Sequence, residues 1–177
     1  MFIAEWNVRT LMDRATLSRP ERRTAPNAKE LSRHRADIAA FSETQLACYD
    51  SLVDCGYTFF WSGKTEKKRR ESGVGFAIRN TMVHLLEQDP SPVSDKIMTL
   101  RLPLERNAYA TIISVYSPTM TNPEKTKRVS TAKLETYLLR FPEKISSSVQ
   151  VTLMLEFGLK KIMERRYWAT WEEKVQL

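Results

Sequence analysis

The stretch Ala36–Gln45, ADIAAFSETQ, decides how the chain is read. Ile38 to Phe41 is an apolar run of strand length, and it ends in the polar tip Ser42-Glu43-Thr44. A short uninterrupted apolar run is the mark of a strand buried on both faces. A carboxylate at the end of such a strand sits on a rigid support, where loops carry chemistry.

Working outward, Phe2 to Val8 reads as a first strand, with Asn7 near its end. A polar, Arg-rich segment follows, broken by Pro20 and Pro26, and a helix is expected from about Thr24, as its cap, to Arg35. The strand Asp37 to Phe41 comes next, then Tyr57–Ser62 (YTFFWS), whose aromatic residues suit a pleated surface. Lys64–Ser72 is a charged loop, and Gly73–Asn80 (GVGFAIRN) has a strand's length and residue types. KIMTLRLPL and YATIISVYSP, joined by the polar ERN, read as a hairpin whose second strand ends at Tyr116-Ser117-Pro118.

The pattern then changes. Asn122, Pro123 and Glu124 look like a helix start, Leu134, Tyr137, Leu138 and Phe141 would form one apolar face, and Pro142 ends it. Ser146–Leu155 becomes strand-like, and Leu159–Leu177, with Trp168 and Trp171, suits a helix.

The 177 residues are enough for one domain with a sizeable core, and no repeat or long linker divides them. The net charge of +7 and pI near 9.5 favour polyanionic partners, because counterion release drives contact with phosphate backbones. Cys48 and Cys55 match no metal spacing or disulfide framework and read as reduced thiols of an intracellular protein, nuclear or cytoplasmic. No run approaches the length of a membrane span, and the first residues lack the order of a secretory signal. Lys67–Arg70 (KKRR) reads as a solvated basic loop, with nuclear import as its alternative.

The polar strand tips are the candidates for chemistry. Glu43 can ligate a hard cation such as Mg²⁺, cap the next helix or pair with an arginine. Asn7 can orient a ligand or satisfy a turn. Tyr116 can donate to a phosphate or serve as an ordinary strand aromatic.

The order of these segments resembles a known family. WNVRTL, DIAAFSETQL, YTFFWSGKTEKKRRESGVGFAIRN, MTLRLPL and ATIISVYSPTMTNP are similar to the endonuclease/exonuclease/phosphatase superfamily, with its DNase I-like fold. Within it, they look most like the endonuclease domains of LINE-type retrotransposons and the craniofacial development protein 2-like proteins. The resemblance spans Ile3 to about Pro123 and implies an α/β, four-layer αββα sandwich, here with its second half largely missing.

It also implies Mg²⁺-dependent cleavage of phosphodiester bonds in DNA. Asn7 and Tyr116 then match catalytic positions, and Glu43 matches the metal-binding glutamate. The family's Gly-Asp-Phe-Asn motif has only a degenerate counterpart at Glu156-Phe157-Gly158, and its Ser-Asp-His motif has none. His34 and His84 lie in the wrong contexts to serve as the base. The expectation is a domain over residues 1–158 with a divergent tail over 159–177, weak or absent Mg²⁺ binding and impaired catalysis. The alternative is a non-catalytic, basic nucleic-acid-binding remnant of a retrotransposon-derived gene. Arg22, Arg23, Lys67, Lys68, Arg69 and Arg70 would contact phosphates, and an exposed sheet surface would favour self-association.

Overall fold

The computed structural model describes residues 1–13, 23–68, 72–104 and 109–116, and the backbone of 150–157. The strands are β1 (Ile3–Asn7), β2 (Ile38–Ser42), β3 (Tyr49–Asp54), β4 (Tyr57–Ser62), β5 (Val74–Arg79), β6 (Ser91–Ser94), β7 (Ile97–Pro103), β8 (Tyr109–Tyr116) and β9 (Gln150–Phe157). The helices are α1 (Thr24–Arg33), between β1 and β2, and the short α2 (Asn80–Val83), after β5.

They build two sheets, one ordered β1-β2-β5-β4-β3 and the other β6-β7-β8-β9. β2 lies inside the first sheet, parallel to β1 and antiparallel to β5, and all its residues are buried. This explains its unbroken apolar sequence: a central strand covered on both faces has no polar alternation.

The two faces of the first sheet bury different clusters. Ile38, Ala40, Phe60, Val74, Phe76 and Ile78 face the second sheet and meet Met98, Leu100, Leu102, Ala110 and Ile112. On the other face Ala39, Phe41, Phe59 and Ala77 pack with Ala28 and Leu31 of α1. Phe41 stacks on Phe59 at 5.9 Å and meets Trp6 edge-on at 6.5 Å. Thr24, Ala28 and Leu31 are the buried residues of α1, a spacing that repeats along one helix face. Each fully buried large apolar side chain stabilises the fold by about 1.5–3 kcal/mol.

The helix runs Thr24–Arg33, slightly shorter than expected, and Arg23 rather than Thr24 is its cap, without a side-chain capping bond. Thr24 is instead buried, and its hydroxyl donates to Asp54 at 2.5 Å, tying α1 to β3. The β7–β8 hairpin forms in antiparallel register from Ile97↔Val115 to Pro103↔Tyr109. Sequence reasoning missed β3, β6 and α2. β3 is an exposed edge strand, so its side chains carry little burial signal. Its hairpin with β4 turns on Cys55 (φ 46°) and Gly56 (φ 84°), the paired left-handed residues of a two-residue connection. The two cysteines are exposed and flank opposite ends of β3.

The helix expected over Asn122–Phe141 and the tail over Leu159–Leu177 lie outside the described residues, as do Arg22, Arg69 and Arg70. Among the described residues, no helix is long and apolar enough to cross a membrane.

Candidate functional site

Because β1 and β2 are parallel, their C-terminal ends share one rim, with Asn7 beside Ser42. Strand alternation fixes which way each side chain points. Ile3 packs into the core between the sheets, whereas Ala4 and Trp6 pack toward α1. Glu5 and Asn7 therefore share Ile3's inward face. On β2, Ile38 and Ala40 face inward, and Ser42 follows their alternation.

By the same alternation Glu43 would point toward α1. It does not, because its backbone is left-handed, at φ 59°. That turn brings its carboxylate back over the inward face, where Oε1 accepts a 3.0 Å hydrogen bond from Asn7 Nδ2. The amide of Asn7 is oriented from its other end, where Oδ1 accepts from the backbone N–H of Arg9 at 2.9 Å. Arg9 is also left-handed, at φ 58°. A non-glycine residue in this region costs about 1–2 kcal/mol, and such residues gather where the surroundings over-determine them.

The loop after Glu43 is held from both sides. Thr44 donates its N–H to the Gly73 carbonyl at 3.2 Å, and its own carbonyl accepts from Leu11 N–H at 2.8 Å. Gly73 has φ 134°, and a Cβ there would stand 2.2 Å from Thr44 Oγ1, so only glycine fits. The hydroxyls of Ser42 and Thr44, on either side of Glu43, are fully buried and have no hydrogen-bond partner among the described residues.

Tyr116 reaches the same rim from the second sheet. Its N–H donates to the Lys96 carbonyl at 2.9 Å, and the neighbouring Asp95 accepts from Ser72 at 2.8 Å, next to Gly73. Ser114 Oγ donates to the Phe41 carbonyl at 3.3 Å and sets the end of β8 against the end of β2. Tyr116 itself is partly buried against the core between the sheets. Three separate segments thus bring Asn7, Glu43 and Tyr116 to one end of the sandwich, with Asn7 and Glu43 in direct contact.

β9 is parallel to β8 and ends at this rim as well, with Glu156 matched to Val115 and Phe157 to Tyr116. Position 157, not 156, is therefore the one level with Tyr116 in the ladder. Arg23 is occupied in the fold: its N–H donates to Asp13 at 2.9 Å and its guanidinium to the Thr10 carbonyl at 3.4 Å. Lys67 and Lys68 are exposed in the loop after β4. His34, beyond the end of α1, is exposed and contacts Arg33 at 2.7 Å, and His84 is exposed after α2.

Sequence reasoning passed over Glu5, Ser42, Thr44, Gly73 and Asp95. Glu5 was legible as the inward neighbour of Asn7, two residues away on one strand. The residue is open to solvent along the edge of β1, yet burial around its carboxyl raises its pKa above the ordinary carboxylate range.

The donor set suits a hard cation. Mg²⁺ keeps several waters and takes one or two carboxylates, and Glu43 offers Oε2 with no partner among the described residues. Among those residues, no group of three or more His, Cys, Asp or Glu side chains forms a protein-only cage.

No protein-family model matches the chain, and no curated protein does. Among solved structures, the AP endonuclease LMAP from Leishmania major is similar, with a TM-score of 0.54 and 17% sequence identity. The likeness covers 84% of this chain and 53% of that one, so the chain spans about half of the relative's length. It is a likeness of fold: the mixed α/β arrangement of packed sheets is DNase I-like.

Proposed function

We propose that the chain is a phosphodiesterase-type domain that contacts DNA and turns it over poorly. The observation that carries this reading is the Asn7–Glu43 hydrogen bond at a rim shared with Tyr116, on a DNase I-like fold. The motif order in Ile3–Pro123 supports the finer kinship with LINE-type retrotransposon endonuclease domains.

In this reading Glu43 holds Mg²⁺, and the bound ion would neutralise charge on a phosphodiester and its leaving oxygen. Asn7 does two jobs: its amide fixes the Glu43 carboxylate, and its place on the rim suits it to orient a phosphate group. Tyr116 offers a phenol donor from the opposite sheet. Positioned donors of this kind lower a barrier by holding the reacting group in place.

Poor turnover is supported by the distribution of bases. The two histidines of the chain lie on exposed helix ends, and the described rim carries neither. Losing one general acid–base group lowers a rate by about 10²–10⁴-fold. The exposed Lys67 and Lys68 and the net charge of +7 favour the second reading, nucleic-acid binding without cutting.

A plasmid-nicking assay with Mg²⁺, run beside a gel-shift assay, tests both. Binding with little nicking is the expected result. Robust nicking abolished by Glu43→Ala overturns the poor-turnover half alone. Absence of DNA binding at low salt overturns the proposal as a whole.

A further inference from the structure

We propose that Arg9 grips the phosphodiester backbone of DNA at the strand-end rim, beside the carboxylate of Glu43. The inference rests on the reading of this rim as a DNA-contacting site, and it names a phosphate contact outside the basic segments singled out from the sequence.

The backbone of Arg9 is built into the site. A single amide, that of Asn7, ties it to Glu43: Nδ2 donates to Glu43 Oε1 at 3.0 Å, and Oδ1 accepts the N–H of Arg9 at 2.9 Å. Thr10 N–H donates to the Val8 carbonyl at 2.6 Å, which closes a three-residue turn with Arg9 at its apex. The φ of 58° makes this the rare hand of that turn, which persists only where neighbours enforce it. They do so here. Val8 N–H donates to the Ser42 carbonyl at 3.2 Å and Leu11 N–H to the Thr44 carbonyl at 2.8 Å, so the turn is laced to the residues on both sides of Glu43.

The side chain, by contrast, is uncommitted. It is exposed and has no hydrogen-bond, ion-pair or ring partner among the described residues, Glu43 included. Four other described arginines are occupied: Arg23 on the Thr10 carbonyl, Arg33 on Glu30, Arg79 on Asp37, and Arg101 over the ring of Tyr109. Arg35 shares the state of Arg9. It too is exposed, left-handed at φ 55° and without a side-chain partner among the described residues. Arg35, however, precedes the start of β2, at the end of the strand opposite the rim.

A guanidinium is a planar fork of N–H donors that can meet two phosphate oxygens at once. The enforced turn fixes where that fork starts, next to Glu43. A carboxylate there repels an incoming phosphodiester, and a neighbouring cation with no partner of its own offsets the repulsion.

The test is fluorescence anisotropy of a short labelled DNA duplex with the full chain in EDTA, where neither cleavage nor metal binding enters. Wild type is compared with Arg9→Ala, Arg9→Lys and Arg35→Ala. Arg9→Ala is expected to weaken binding about tenfold, the scale of a lost hydrogen bond to a charged group. Its salt dependence should shallow by about one phosphate contact. Arg9→Lys should keep the wild-type salt slope with an intermediate affinity, because it keeps the charge and loses the fork. Arg35→Ala, the matched arginine at the far end, should leave affinity within about twofold of wild type. If Arg9→Ala does not fold, Arg9→Gly takes its place, since glycine accepts the φ of 58° and keeps the N–H to Asn7.

Wild-type affinity and slope in Arg9→Ala, or in Arg9→Gly, overturn the proposal and leave the DNA reading intact. An equal loss in Arg9→Ala and Arg35→Ala also overturns it, because net charge then accounts for both. No duplex binding by wild type at low salt removes the DNA reading and this inference together.

Discussion

At the scale of the residue, the site depends on backbone conformations that composition does not reveal. Asn7, Glu43 and Tyr116 could be named from motif resemblance, but the way Glu43 reaches Asn7 could not. It depends on a left-handed residue after a strand, which alternation alone would have sent to the other face. Gly73 is the counterpart that makes room for Thr44. Gly73→Ala places a methyl against Thr44 Oγ1 at an unfavourable φ, and we expect a loss of about 2 kcal/mol or more in urea denaturation. Far from the rim, Gly56 has open space around it, so Gly56→Ala should suffer only from its φ of 84° and lose less.

Glu5 gives a pH signature. Its raised pKa means that the folded chain holds this proton more tightly than the unfolded chain does. The resulting stabilisation is present below the ordinary carboxylate pKa and is lost as pH rises through the folded value. Above that value, the charged form disfavours the fold. Thermal unfolding of Glu5→Gln should therefore lack this acid-side gain and show a higher midpoint than wild type at neutral pH.

At the scale of the element, long apolar segments were legible and short edge elements were not. YTFFWS gave β4 with its boundaries, and the two segments flanking ERN gave the β7–β8 hairpin, because burial and β-branched or aromatic content agree there. β3 and β6 lie at sheet edges, where half-exposed polar residues blur the period. β8 is the element on which the two halves meet, since its inner residues face β2 and β5 and its end carries Tyr116. Ile112, fully buried between the sheets, is its central contact. Ile112→Ala should destabilise the chain by about 2–5 kcal/mol in chemical denaturation.

At the scale of the whole molecule, net charge and open edges set behaviour with partners. If the nucleic-acid reading holds, the gel-shift affinity should fall steeply with salt, and Lys67→Ala with Lys68→Ala should shallow that slope by about two phosphate contacts. Self-association, expected from the sequence, would run through the β3 edge, where Tyr49 and Val53 are 44% and 66% exposed. That edge also carries its own guard, because Asp50 accepts the N–H of Ser51 at 2.8 Å and places charge along the strand. Size-exclusion chromatography across a concentration series checks this: a rising apparent mass that Val53→Lys abolishes is the expected outcome.

The parallel pairing of β1 with β2 has a kinetic consequence. The β3–β4 hairpin closes over a two-residue turn, whereas Asn7 and Glu43 are 36 positions apart in the chain. Loop-closure entropy delays such distant contacts, and hairpins form within about microseconds. The carboxylate of Glu43 therefore finds its amide only after the intervening helix and strand have brought the N-terminal segment alongside. In a pulse-labelling exchange experiment, the amide of Arg9, locked by Asn7, should gain protection after those of the β3–β4 ladder.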